Sequence, residues 1–400
     1  MSIPRRDAIY LTAVTIVAMT LMLSGAAIVL WQARQGGDAA DDLQAMRQSI
    51  RSDPEAARAF LDRVLRRVPD HIDARLLRAE MRLGVGESDE AISDYNHVLT
   101  LEPGHAKALL GRARARLSLA DQDGAIQDIS AVLKADPADP EALHLRAVIR
   151  SSRFENDLAL ADFDAAIERQ PDRVDWRLER AEMRRETGRF AEAAEDFELV
   201  LSKRPDRAEI WSAMAWCRWG AGDLDGAVEA FDEALKRSAE NAHAHFGRGA
   251  VLLNEGRLDE AVASLDKARA RPAQRVEYAA LYAWIARARL GRADQADALL
   301  RTDLANDAFG WRLWPRRLAA FLLGEMDEET ILEFSREEQD GNTAQEQRCE
   351  ALYYAGWKRL LAGDRDGAAD LLRQCAAIPL TRFYEWNSAR HDLASLDSAE

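Results

Sequence analysis

The side chains able to hold a metal, attack a carbonyl or shuttle a proton in this chain are seven histidines, three cysteines and 69 Asp and Glu residues. His243 and His245 are the most closely spaced histidines. Two positions apart on a helix, they point about 200° from each other and cannot share one ion, so a solvated or groove-facing role is expected. A nucleophile with its base, a zinc helix or a phosphate loop would leave GxSxG, HExxH, GxGxxG after a strand, or GxxxxGK[ST]. None occurs. The carboxylates are scattered among arginines at helical spacing, as in Glu182 with Glu186 and Arg180 with Arg184, and read as solvated helix faces. The chain is therefore expected to be no enzyme, with no catalytic residue, no cofactor and no metal assigned.

Cys217, Cys349 and Cys375 lie far apart without a CxxC pair, which excludes a zinc ribbon or a dense disulfide framework. If the turn between the last two is centred near Gly363 to Arg365, Cys375 faces about residue 353. Cys349 then sits roughly 6 Å further along the axis. Packing thiols are expected, and a bridge stays open. A net charge of −15 opposes any phosphate backbone, so nucleic acid is excluded as the main partner. With 48% hydrophobic residues and 11 prolines, the chain has the composition of a folded protein.

What must position these side chains is a repeat. Pro69, Pro103, Pro137, Pro171 and Pro205 follow one another at a constant interval, with no slippage. Before each proline the same two small residues recur at fixed distances: Ala45, Ala79, Ala113, Ala147 and Ala181 further upstream, and Ala57, Ala91, Ala125, Ala159 and Ala193 nearer to it. Between the nearer alanine and the proline comes a bulky side chain, again at a fixed place: Leu61, Tyr95, Ile129, Phe163 or Phe197. Small residues at fixed points mean close helix contacts, and the bulky ones fill the gap beside them. The frame continues through Ala215, Ala227 and Phe231, then Gly249, Ala261 and Leu265, giving seven units over residues 38–275. Gly86, Gly188, Gly222 and Gly256 recur where a helix must end and turn. Each unit is a helix, a tight turn, a second helix and a proline that stops it.

This pattern resembles the tetratricopeptide repeat, whose period and small-small-aromatic-proline order it shares. The resemblance implies an all-α solenoid of helical hairpins wound as a right-handed superhelix, with a concave groove for a protein or peptide and no chemistry of its own. Residues 276–400 are expected to hold degenerate hairpins, around Gly291 with Ala296 and Gly363 with Ala368. A capping helix should follow from Thr381 to Leu396, with Phe383, Tyr384 and Trp386 inward and a polar outer face. The run from Glu350 to Asp364, followed by Ala368, Ala369 and Phe383, is similar to the end of the bacterial periplasmic adaptor lipoprotein family NlpI. That likeness implies an envelope location, dimers and a scaffold role.

From Ala8 to Trp31 the chain carries no charge, a run long enough for a helix to span the ~30 Å hydrocarbon layer. Arg5 and Arg6 precede it, so residues 1–7 should stay in the cytoplasm and the rest lie outside. Leu23-Ser24-Gly25-Ala26 lacks the cysteine of a lipobox. Cleavage after Ala26 is the rival to an anchor, but the apolar run continues to Trp31, beyond a signal core of about 7 to 15 residues.

By helical phase from the alanines, the inner stripe of the first helices carries Leu76, Glu80 and Leu83; Leu110, Arg114 and Leu117; and His144, Val148 and Ser151. It continues with Leu178, Glu182 and Arg185, then Ser212, Trp216 and Trp219, then Phe246, Ala250 and Leu253. Trp216, Trp219 and Phe246 should converge as partner-binding anchors, with packing against neighbouring helices as the alternative. Trp211 lies on the packing side. The expected function is a non-catalytic scaffold or adaptor of the bacterial cell envelope, on a single-pass inner-membrane anchor that touches the bilayer through residues 8–31. The alternatives are a self-assembling subunit, with a homodimer filling the groove, and a cleaved soluble periplasmic form.

Overall fold

A computed structural model describes residues 54–270, 276–306, 311–336, 341–380 and 384–397. The expected membrane segment 8–31 lies outside them. No described helix is long and apolar enough to cross a membrane. Every regular element among the described residues is an α-helix. The chain divides into two compact units, Met1–Asp172 and Arg173–Glu400.

In the first unit α1 (Pro54–Arg67) precedes three hairpins: α2 (Ile72–Gly84) with α3 (Ser88–Leu101), α4 (Ala106–Ser118) with α5 (Gln122–Ala135), and α6 (Pro140–Ser152) with α7 (Asn156–Arg169). In the second, the regular hairpins are α8 (Val174–Glu186) with α9 (Phe190–Lys203), α10 (Ala208–Ala221) with α11 (Leu224–Arg237), and α12 (Ala242–Asn254) with α13 (Leu258–Arg269). Three less regular ones follow: α14 (Val276–Arg289) with α15 (Ala293–Ala305), α16 (Leu313–Leu322) with α17 (Glu328–Phe334), and α18 (Gly341–Leu361) with α19 (Arg365–Ala376). A single helix, α20 (Tyr384–Asp397), closes the chain.

Pro69, Pro103, Pro137, Pro171 and Pro205 each stand just past the end of a second helix, where a missing N–H costs nothing and the ring blocks continuation. The alanines of the frame, such as Ala79, Ala113, Ala193 and Ala227, are fully buried beside Tyr95, Ile129, Phe197 and Phe231, each at most 1% exposed.

The turn inside each hairpin needs one left-handed residue. Gly86, Gly188, Gly222 and Gly256 supply it, but the same slot in two repeats holds Ala120 and Phe154, both at φ 61°. A side chain there costs about 1–2 kcal/mol, of which glycine returns about 0.5–1 kcal/mol through its freedom in the unfolded chain. Ala120→Gly and Phe154→Gly should each stabilise the first unit by up to about 1 kcal/mol, read as a melting temperature raised by a few degrees. An unchanged or lower value in both variants would count against strain at these turns.

The arginines expected on solvated faces are instead clamps on buried carboxylates. Asp94, Asp128, Asp162 and Asp196, at 2–4% exposure, sit on the second helices of four successive hairpins. Arg112 reaches Asp128 with Nε at 2.9 Å and Nη2 at 2.5 Å, and Arg116 adds Nη1 at 2.7 Å. Arg78 and Arg82 hold Asp94 the same way, as do Arg146 and Arg150 with Asp162, and Arg180 and Arg184 with Asp196. Arg180 and Arg184 are thus committed to the packing of α8 on α9. Bidentate arginine is the geometry that best satisfies a desolvated carboxylate.

The cysteine geometry also differs from expectation. Cys349 and Cys375 are buried free thiols, as expected, but their Sγ atoms lie 2.8 Å apart, closer than the offset along the axis implied. Burial pushes the Cys349 thiol up and the Cys217 thiol up to about 12, so neither is a ready nucleophile.

Candidate partner-binding face

In the first unit, the first helices α2, α4 and α6 pack side by side. Leu76 and Leu110 are buried in that packing, although phase placed them on the open stripe. Charged pairs link successive helices at the surface: Glu80 with Lys107 at 2.9 Å and Arg114 with Glu141 at 2.5 Å. Leu83, Leu117, Val148 and Ser151 lie half-buried on the same helices, and the half-buried His144 ring rests edge-on to Phe163 at 5.7 Å. This face combines accessible aliphatic side chains with charges of both signs.

In the second unit, Leu178 is half-buried against the core. Glu182 and Arg185 pair with each other at 2.5 Å. Trp216, Trp219 and Phe246 converge as phase required, with centroids of Trp216 and Trp219 at 5.3 Å and of Trp216 and Phe246 at 6.4 Å. They are not open to a ligand. Trp219 is 0% and Phe246 3% exposed, and Tyr384 of α20 covers the cluster, 4.7 Å from Trp216 and 5.0 Å from Phe246. Burial, not partner contact, is thus the structural role of Trp219 and Phe246. Trp211, expected on the packing side, is half-buried against the core, where its Nε1 donates to the Pro205 carbonyl at 2.8 Å and Arg237 lies over the ring. Of the two histidines, His243 is exposed beside Trp216 and His245 is buried, its Nε2 donating to the Ala239 carbonyl at 2.9 Å. Among the described residues no group of three or more His, Cys, Asp or Glu side chains is placed to hold a metal ion.

In α20 Tyr384 and Trp386 pack against the core as expected, and Phe383 lies outside the described residues, but polar side chains expected on the outer face are also seated inward. Glu385, Ser388 and Asp392 are at most 5% exposed. Glu385 accepts from the Tyr354 hydroxyl at 3.1 Å, and the Ser388 hydroxyl meets that of Tyr282 at 3.2 Å. Asp392 accepts from the Asn254 amide at 3.0 Å and from Trp357 Nε1 at 3.0 Å, while Asn254 Oδ1 takes the Trp219 indole N–H at 3.1 Å. The physical reason is the lining: α12, α14 and α18 offer hydroxyl, amide and indole donors, and buried donors need acceptors. Donors meet the C-terminal end of α10: His391 Nε2, on an imidazole whose pKa burial lowers, donates to the Trp219 carbonyl at 3.0 Å, and the Arg390 guanidinium donates to that of Gly220 at 3.3 Å, a cation where the helix dipole favours one.

Burial raises the Asp392 pKa from 3.8 to about 6, against the lowering pull of Asn254, Arg289, Trp357 and Tyr353. The folded chain therefore holds an extra proton between those values. This contribution to stability is full below about pH 3.8 and is lost as pH rises through about 6.

Sequence models of the tetratricopeptide repeat match residues 51–96, 154–208 and 213–275 and residues 82–149, together more than half of the chain. Among solved structures the chain is similar to a tetratricopeptide repeat protein from Parabacteroides merdae ATCC 43184, with 18% identity over 64% of this chain and 97% of that one and a TM-score of 0.39. It is also similar to a MamA fragment from Desulfovibrio magneticus RS-1, with 16% identity, coverages of 41% and 93% and a TM-score of 0.38. For pilF of Pseudomonas aeruginosa the values are 16%, 50% and 90%, and 0.41. Likenesses at this level carry no inference about function. No curated protein matches the chain, and the NlpI likeness of its C-terminal third is not shown. The repeated hairpins, their turn and proline positions and the span of the two model matches together establish that this chain belongs to the tetratricopeptide-repeat family.

Proposed function

We propose that the chain is a non-catalytic adaptor of the bacterial cell envelope, held at the inner membrane by residues 8–31, which presents the α2–α4–α6 face to a protein partner. The observation that carries this reading is the mixed character of that face: Leu83, Leu117 and Val148 beside the Glu80–Lys107 and Arg114–Glu141 pairs. Aliphatic side chains supply affinity, and flanking charges set register and exclude wrong partners.

Leu83→Asp with Leu117→Asp places two charges where a partner's apolar side chains would bury. Crosslinking capture from intact membranes should fall at least tenfold, with the melting curve within a few degrees of wild type. Undiminished capture by a stable double variant would remove the face from the reading. The anchor is supported by the uncharged run and the basic residues before it. A reporter fused after Glu400 should be active outside the cytoplasm, and the chain should stay with membranes after an alkaline wash. Cytoplasmic reporter activity would reverse the topology, and release by the wash with a new N-terminus near Ala27 would establish the cleaved form.

A further inference from the structure

The second unit has an equivalent row of first helices, α10, α12, α14 and α18, and there the seat is occupied by α20 of the same chain. Glu385, Ser388 and Asp392 stand at i, i+3 and i+7, one stripe of a helix, and each meets donors on a different part of the row. Tyr354 takes the first, Tyr282 the second, and Asn254 with Trp357 the third. We infer that this row is a helix-binding site and that α20 is its built-in, displaceable ligand, holding the place of a partner helix with an acidic residue, a small hydroxyl residue and a second acidic residue at the same i, i+3, i+7 spacing.

The bonding of α20 explains both its fit and its lability. Its buried stripe is polar, so docking exchanges hydrogen bonds with water for hydrogen bonds with protein and gains little in each exchange. The carboxylates of Glu385 and Asp392 are buried against neutral donors, which opposes docking while they are charged. Its apolar contacts are few and spread along the helix: Tyr384 covers Trp216 and Phe246, Ala389 is buried, and Trp386 and Leu396 are half-buried against the core. Packing on α19, with Trp386 Nε1 donating to the Ala376 carbonyl at 3.0 Å, and the covalent attachment, which acts as an effective concentration in the millimolar range, keep α20 in this seat. A free helix with the same stripe finds the same donors and the same carbonyls at the end of α10, but must compete with that concentration.

The test uses the full chain and a labelled synthetic peptide of residues 384–397. Ser388→Arg lies on α20, not on the row, and cannot be seated against Tyr282, so it releases the helix and leaves the donors intact. The peptide should bind Ser388→Arg at least tenfold more tightly than wild type, and a peptide carrying Asp392→Lys should lose that binding at least tenfold. In wild type, amide exchange of residues 384–397 should run at least tenfold faster than that of α18 and α19. Equal peptide binding to both chains, or protection of α20 equal to that of α18 and α19, would overturn the inference. Loss of helicity in Ser388→Arg would likewise overturn it, because it would make α20 an integral part of the fold. None of these readouts involves the α2–α4–α6 face, so their failure leaves the adaptor reading untouched.

Discussion

Asp128→Ala should cost about 3–5 kcal/mol, read by urea denaturation followed by helicity, whereas Asp123→Ala on the same helix should stay within about 0.5 kcal/mol. Both carboxylates face an arginine. Asp123 meets Arg153 at 2.6 Å with its side chain 88% exposed, so water replaces the lost contact. Asp128 is 4% exposed and accepts from Arg112 and Arg116, so its removal leaves two guanidinium groups aimed at an apolar seam. Those guanidiniums keep 18% and 22% exposure, which places the expected cost nearer the lower figure. Asp128→Asn should fall between, since one acceptor oxygen remains. Because hairpins are stabilised by their neighbours, the loss should spread to α2–α3 and α6–α7. If Asp128→Ala and Asp123→Ala behave alike, the arginine clamp is no more than a solvated pair.

That clamp was present in the sequence and is easily passed over. Arg78, Arg112, Arg146 and Arg180 keep the period of the prolines, and each has a second arginine one helical turn later, at Arg82, Arg116, Arg150 and Arg184. The aspartates Asp94, Asp128, Asp162 and Asp196 keep the same period on the following helix. Reading charge by i,i+4 spacing within one helix hides the pairing, since the partner lies across the turn. The frame itself was legible for the opposite reason. Proline, alanine and the bulky residue act locally, and each hairpin repeats the same solution. The clamp ends where the frame loses its residues: Met214 stands for the arginine and Ala230 for the aspartate in the next hairpin.

The candidate site was only half legible. Helical phase places Trp216 and Trp219 on one face and Phe246 beside them, which follows from spacing alone. What covers that face is Tyr384, far downstream in the last helix, with no period to link it to Trp219. The pattern of α20 was legible in part: Tyr384 and Trp386 pack against the core as the amphipathic reading requires, but Glu385, Ser388 and Asp392 turn inward too. Here the lining is rich in indole, amide and phenol donors, and the helix turns its acceptors toward them.

Trp219→Ala should destabilise the second unit by about 3–5 kcal/mol through the cavity left by a fully buried indole. A further contribution of about 1–3 kcal/mol comes from Asn254, whose Oδ1 loses its donor while its amide stays committed to Asp392. Trp219→Phe separates the two effects, since it keeps most of the ring and removes only the N–H. Trp216→Ala is the control on the same face. Its ring is half-buried and its buried indole N–H has no hydrogen-bond partner among the described residues, so only packing is lost and the cost should be smaller. Amide exchange should show the effect of Trp219→Ala in α10, α12 and α20 together, because Trp219, Asn254 and Asp392 form one chain of hydrogen bonds. Were Trp219 instead an anchor turned toward a ligand, the same change would leave stability intact and abolish partner capture. Melting and capture measured on one preparation separate the two, and an unaltered melting curve for Trp219→Ala would refute the buried placement.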